Sequence, residues 1–162
     1  MRYQPIVGSL GYILSSDQKK VLMVHRLYKE NDDHLGKYNG LGGKMEKDED
    51  ISTCMIREIK EESNLTIKKM KLRGTVNWTN FGKHGEDWLG FIFLITEYEG
   101  VPFEKSPEGP LEWIPLESIL SLPMWEGDRH FLPLVFDEDP RLFHGYMPYE
   151  NHRPKNWTYS RI

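Results

Sequence analysis

In the stretch GKMEKDEDISTCMIREIKEESNL (Gly43–Leu65), the apolar residues Ile51, Met55 and Ile59 recur at four-residue spacing. This spacing predicts a helix over about 49–63 with one face turned to a core. The stripe then changes character: Glu58 falls seven residues after Ile51, and Glu62 seven after Met55. At about 100° per residue these carboxylates continue the apolar azimuth, with Glu61 beside them. Elsewhere the apolar residues gather in short runs bounded by turn residues. Residues 5–14 and 21–26 read as strands around the turn SSDQKK. A polar loop, 27–38, leads to the glycine-dense NGLGGK (39–44). Residues 71–80 and 87–100 form a long hairpin across FGKHGE, and LEWIPL (111–116) is a short strand. A helix is expected to start near Glu117 and another to span Gly127–Phe136, with a last strand at 142–149. The whole predicts a single domain over 1–162, a mixed sheet with helices packed on it, in the α/β (α+β) class.

Composition narrows the setting. A chain of 162 residues, 38% hydrophobic and 28% charged, is ordinary for a soluble globular protein. The longest wholly apolar run, Phe91–Ile95, is far too short to span a membrane. The start of the chain lacks the pattern of a signal peptide. The one cysteine, Cys54, cannot form an internal disulfide or build a zinc site alone, and reads as a small buried helix residue. A cytoplasmic protein without membrane attachment is expected. The net charge of −4 argues against a general nucleic-acid binder, so no stable nucleic-acid partner is expected. The deficit is local: Glu46, Asp48, Glu49, Asp50, Glu58, Glu61 and Glu62 face only Lys47, Arg57 and Lys60 in the same segment. The tail HRPKNWTYSRI is basic with aromatics between, and reads as an edge strand or ordered tail before an RNA contact.

Several chemistries are excluded. NGLGGK is not a phosphate-binding P-loop, because the position five before Gly43 is Tyr38 and Lys44 is followed by Met45. There is no GxGxxG after a strand, no HExxH and no GxSxG. What remains is the carboxylate trio. Glu58, Glu61 and Glu62 stand at i, i+3 and i+4 and repel one another on a helix face. A solvated acidic face is the plain alternative, but Glu58 and Glu62 lie on the inward stripe. A hard divalent cation resolves the conflict: Mg²⁺ takes oxygen ligands and is usually shared with substrate phosphates.

The spacing Gly43, five residues, Glu49, seven residues, Arg57-Glu58-Ile59, one residue, Glu61-Glu62 resembles the Nudix box, G-x5-E-x7-R-E-U-x-E-E-x-G-U, where U is apolar. It departs from the box at Asn64, where the pattern has glycine. That position follows the helix, where a left-handed C-cap also accepts Asn. His25-Arg26, GKYNGLGGK, EWIPL, MWEGD, FLPLVF and FHGY extend the resemblance to the MutT-type 8-oxo-dGTP diphosphatases. The resemblance implies a Nudix α/β/α sandwich that depends on Mg²⁺, with Mn²⁺ as a substitute. It further implies hydrolysis of a nucleoside triphosphate to the monophosphate and pyrophosphate.

Carried onto this chain, it implies that Glu58, Glu61 and Glu62 hold metal together with a backbone carbonyl from Gly42 or Gly43. Glu58, or else Glu61, takes the proton, and Arg57 pairs with Glu49. A further glutamate comes from a distant loop, Glu108, with Glu104 the rival. Arg26 meets a phosphate or the nucleoside, or is a plain surface cation; Gly43 and Lys44 join the substrate-binding set. Asn39 would meet O6 and the N7–H of an 8-oxo purine, Asp128 the N1–H and 2-amino donors, and Trp125 would stack. Related enzymes carry two adjacent acids at the aspartate, where this chain has Gly127 first. The plainer readings are a helix cap for Asp128, a turn for Asn39 and core for Trp125. Other substrates of the fold remain open, namely a nucleotide sugar, a dinucleotide or an RNA 5′ triphosphate, as does a catalytically silent sensor. A monomer or homodimer is expected.

Overall fold

The apolar runs lack polar alternation because the central strands are covered on both faces. The computed structural model describes residues 2–162. In chain order it contains β1 (Ile6–Leu14), β2 (Lys20–His25), β3 (Tyr38–Asn39), β4 (Leu41–Lys44), α1 (Ile51–Ser63), β5 (Thr66–Phe81) and β6 (Glu86–Glu99). There follow β7 (Lys105–Ser106), β8 (Gly109–Pro115), a 3₁₀ helix (Leu116–Ser121), α2 (Asp128–Phe136), β9 (Phe143–Glu150), β10 (Arg153–Pro154) and β11 (Thr158–Arg161). The sheet order is β10-β9-β5-β6-β1-β2-β8-β7, with β11 on β9, β3 on β2 and β4 on β1. The β1–β6 and β5–β9 pairs are parallel, which makes the sheet mixed.

Side-chain alternation sorts the core into two layers. Ile13, Leu22, Val24, Phe93 and Ile95 cluster with Met55 and Ile59 of α1. Their neighbours Tyr12, Leu14, Val21, Met23, Ile92 and Leu94 cluster with Phe131, Leu132 and Val135 of α2. Successive residues of β1, β2 and β6 therefore meet different helices, as strands buried on both faces must. No helix among the described residues is long and apolar enough to cross a membrane.

Helix α1 is bounded by its own chemistry. Asp50 caps it by accepting from the Thr53 N–H at 2.8 Å. Asn64 closes it at φ 70°, the left-handed conformation the box glycine would otherwise supply. Two elements differ from the sequence expectation. NGLGGK holds the strands β3 and β4, and the helix expected near Glu117 is a single short 3₁₀ helix. Pro115 precedes that helix, and its C-cap Leu122 is extended, as suits the residue before Pro123. The basic tail does form edge strands, β10 and β11.

Helix α2 carries Pro133 and ends against an arginine clamp. Arg73 of β5 is 1% exposed. It donates to the carbonyls of Val135, Leu134, Asp137 and Asp139 and to Asp137 Oδ1. Arg161 of β11 adds bonds to Leu134 O and Asp137 Oδ1. These donors satisfy carbonyls that a helix end leaves open. Arg73→Met is expected to cost about 3–5 kcal/mol, since it strands several acceptors at once. In a chain of this size that lowers Tm by about 10 °C. A thermal melt showing a fall under about 3 °C would refute the clamp.

Candidate functional site

The site is built where the chain crosses from one strand edge to another. Residues 38–39 pair with β2 and residues 41–44 with β1, so β4 lies against Gly8–Gly11. This approach excludes side chains: a Cβ on Gly42 would fall 1.9 Å from the Ser9 carbonyl oxygen. On Gly43 it would fall 2.5 Å from Glu58 Cδ. The glycines thus let the α1 carboxylates lie on the β4 backbone. The Gly42 N–H donates to Glu62 Oε2 at 3.0 Å.

Arg57 organises the acidic face. It grips Glu49 through Nε and Nη2 at 2.9 and 2.6 Å, and reaches Glu58 at 2.9 Å and Glu61 at 3.3 Å through Nη1. These bonds hold the Glu49 carboxyl far below the usual range, to about 2. Burial raises Glu58, although Arg57 opposes it. Glu62 is pushed up to about 8, first by burial and then by the Glu58 charge, with the Gly42 N–H opposing. From the other side, Glu108 enters on β8's leading turn. Its carbonyl accepts from Leu27 and Tyr28 N–H, and its side chain lies 3.1 Å from Lys29 Nζ and 3.3 Å from Arg26 Nη2. Its Oε2 is buried without a hydrogen-bond partner. Glu104 is exposed and does not line the cleft.

Glu62 and Glu108 bound a cleft of about 390 Å³ that also takes in Arg26, Asn39, Gly42, Gly43, Lys44, Trp125 and Asp128. Lys44 Nζ stands 5.6 Å from the Trp88 ring centroid. Asn39 is 9% exposed, and its Oδ1 has no hydrogen-bond partner. Asp128 opens α2 but makes no capping bond. Burial pushes its carboxyl up to about 7, against the pull of Arg129. Trp125 is core and cleft wall at once, with Phe81 at 4.8 Å and Lys37 Nζ over its ring at 4.6 Å.

The nine residues just named therefore converge. Glu58 lies at the rim against Gly43, and Glu61 is 58% exposed, joined only through Arg57. Arg26 lines the cleft but is not a plain surface cation, because Asp32 takes its Nε at 2.8 Å and Glu108 stands 3.3 Å from its Nη2. Among the described residues no three acidic, histidine or cysteine side chains form a ready-made metal cage. Arg57 takes Glu49, Glu58 and Glu61, and the Gly42 amide takes Glu62. The donors still suit a hard divalent cation: all are oxygens, Glu62 carries a raised pKa for want of positive charge, and the buried Glu108 Oε2 faces Arg26 without accepting a hydrogen bond.

Sequence reading missed the walls. Tyr12, His34, Trp78, Phe81 and Trp88 all line the cleft. Alternation along β1 signals Tyr12, but nothing local singles out His34, whose partner Trp125 is 91 residues away.

Comparison with known proteins agrees with this geometry. An uncharacterised Nudix hydrolase of Bacillus subtilis is 35% identical over 112 residues, covering 67% of this chain and 69% of that protein. A zebrafish (Danio rerio) protein named oxidized purine nucleoside triphosphate hydrolase is 32% identical over 117 residues, 72% of each chain. The crystal structure of a MutT protein from Bacillus halodurans superposes with a TM-score of 0.80 at 28% identity, covering 96% of this chain and 97% of that one. Residues 5–135 match the NUDIX domain family. With its box helix laid on a glycine strand and its sheet matched nearly end to end, this chain belongs to the Nudix hydrolases.

Proposed function

We propose that the chain hydrolyses oxidised purine nucleoside triphosphates such as 8-oxo-dGTP to the monophosphate and pyrophosphate, using Mg²⁺. The observation that carries this reading is the unpaired, buried Asn39 Oδ1 in the cleft wall. A buried acceptor without a donor costs about 1–3 kcal/mol. Guanine N7 is itself an acceptor and leaves that cost in place, whereas the N7–H of the 8-oxo base removes it. Asp128 accepts from N1–H and the 2-amino group when ionised, and Trp125 bounds the ring. The similarity to the zebrafish hydrolase supports the same substrate class.

At the other end, Glu58, Glu61, Glu62 and Glu108 with a Gly42 carbonyl would hold the cation. When bound, such an ion neutralises phosphate charge and lowers the pKa of a water ligand. Glu58 takes the proton of the attacking water, with Glu61 the alternative; burial raises the Glu58 carboxyl against the pull of Arg57, which favours its accepting a proton. Arg57 keeps Glu58 turned to the rim through its bond at 2.9 Å. Lys44 brings positive charge to the phosphate chain. Arg26, already engaged, orients Glu108.

Turnover with Mg²⁺ and a nucleotide panel tests this directly. The expected products are monophosphate and pyrophosphate, with 8-oxo-dGTP favoured over dGTP by at least about tenfold in kcat/KM. Asn39→Ala should shrink that ratio more than it lowers dGTP hydrolysis. Equal rates on dGTP, dCTP and 8-oxo-dGTP would sink the base assignment. Glu62→Gln should abolish turnover while melting in EDTA at or above the wild-type temperature, because it removes a crowded carboxyl. A clearly lower melt would make Glu62 a structural partner instead.

Asp128 gives a pH signature. Its folded pKa of about 7 lies above the usual carboxylate value, so between about pH 4 and 7 the folded state keeps a proton the unfolded state has lost. That stabilisation is complete at low pH and disappears as pH rises through 7. Asp128→Asn should match wild type near pH 4 and gain about 1–3 kcal/mol on it by pH 8. Urea midpoints at the two pH values measure the difference, and a constant offset would contradict the burial argument.

A further inference from the structure

His34 lies in the polar loop between β2 and β3, yet its ring reaches the cleft wall. The Trp125 Nε1–H points at His34 Nδ1 across 2.6 Å. The two rings meet edge to face at 82°, with centroids 5.6 Å apart. Phe81 is 6.0 Å from His34 and 4.8 Å from Trp125, so the three rings form one wall. An indole N–H only donates, so the imidazole must accept at Nδ1 and carry its hydrogen on Nε2. Burial, then the Arg26 charge, holds His34 down to about 4, which keeps that lone pair available at neutral pH.

The loop that presents His34 is itself fixed. The His34 N–H donates to Asp32 Oδ1 at 3.0 Å, and Asp32 Oδ2 accepts from Arg26 Nε at 2.8 Å. Arg26 Nη2 stands 3.3 Å from Glu108 Oε2. Asp32 has only 7% of its side chain exposed, so this is an inner strut rather than a surface pair. It runs Trp125–His34–Asp32–Arg26–Glu108, from the base end of the cleft to the carboxylate end.

We propose that His34 is a positioning residue for base recognition, holding the Trp125 indole in the orientation that walls the cleft, so that the loop before β3 sets purine selectivity together with the strands. This rests on reading the cleft as a purine site. A ring held at one point of its edge cannot swing to fit a smaller base, and discrimination then comes from shape as well as from Asn39. If His34 merely satisfied a buried indole, its loss would lower stability and leave the ratio between bases unchanged.

The test compares wild type, His34→Leu and His34→Asn in the full chain. Leucine removes the acceptor, whereas the asparagine amide oxygen stands near the place of Nδ1. Two quantities are read: kcat and KM separately for 8-oxo-dGTP, dGTP and dCTP, and the Trp125 indole ¹H–¹⁵N resonance, assigned with Trp125→Phe. His34→Leu should raise KM for 8-oxo-dGTP about tenfold with kcat within about twofold, and cut its preference over dCTP by a similar factor. The indole proton should move upfield. His34→Asn should return the preference to within about threefold of wild type. A moved resonance with unchanged KM and preference would overturn the proposal, as would an effect confined to kcat. If the wild type does not distinguish bases, the purine reading fails by itself. The resonance, with KM for whichever nucleotide is turned over, then still decides whether His34 positions Trp125. Should His34→Leu not fold, His34→Phe, which fills the place of the ring without an acceptor, carries the same readouts and the same outcomes.

Discussion

The site depends on a backbone passing where no side chain fits. β4 runs between β1 and the carboxylate face of α1, with Ser9 O on one side of Gly42 and the Glu58 carboxyl over Gly43. Because the gap is that narrow, the Gly42 amide meets Glu62 directly. Burial in that gap drives Glu62 toward protonation, and the Glu58 charge adds to it. Arg57 relieves only the outer part of this crowding, through Glu49, Glu58 and Glu61. The inner part is left without a cation of its own, which is the ground for the divalent ion proposed there.

The helix and its carboxylates were legible in the sequence because they follow local rules. A four-residue stripe, an Asp cap and an Asn in place of glycine specify α1 within about twenty residues, and Asn64 does adopt the left-handed conformation. Strands covered on both faces were legible as apolar runs, and Glu108, the loop glutamate that the resemblance put before Glu104, lines the cleft. What was hidden is tertiary. NGLGGK has none of the side chains that mark a strand, since its pairing with β1 needs their absence. Nothing local marks Arg73 of β5 as buried, because its acceptors lie more than sixty residues along the chain. For Asp128 the plainer alternative was a helix cap. The backbone at Gly127 is already helical and puts Asp128 in the first turn, aimed at the cleft instead.

The two ends of the cleft are secured differently. The carboxylate end rests on α1, β4 and the turn before β8, tied by Arg57 and by the Glu108 carbonyl to the main chain of Leu27 and Tyr28. The opposite end gathers its groups from β3, the start of α2 and the loop before β3. Helix α2 is anchored by Arg73 and Arg161 at its far end, opposite Asp128. Fold and family account for the first end; the second is where chains of one fold diverge in what they bind.

The crossing at residues 38–44 has a consequence for how such a protein can change. Both ends of the 26–37 loop are pinned by main-chain bonds, Arg26 N–H to Lys37 O and Gly36 N–H to Arg26 O. Its length and composition are thus insulated from the register of β2 and β4. A replacement loop that kept Arg26 and the Leu27 and Tyr28 amides on Glu108 could be grafted between those pins, altering what bounds the cleft while Glu58, Glu61 and Glu62 stay where α1 puts them. The fold thereby separates the part of the enzyme that selection can rewrite from the part that it must leave alone.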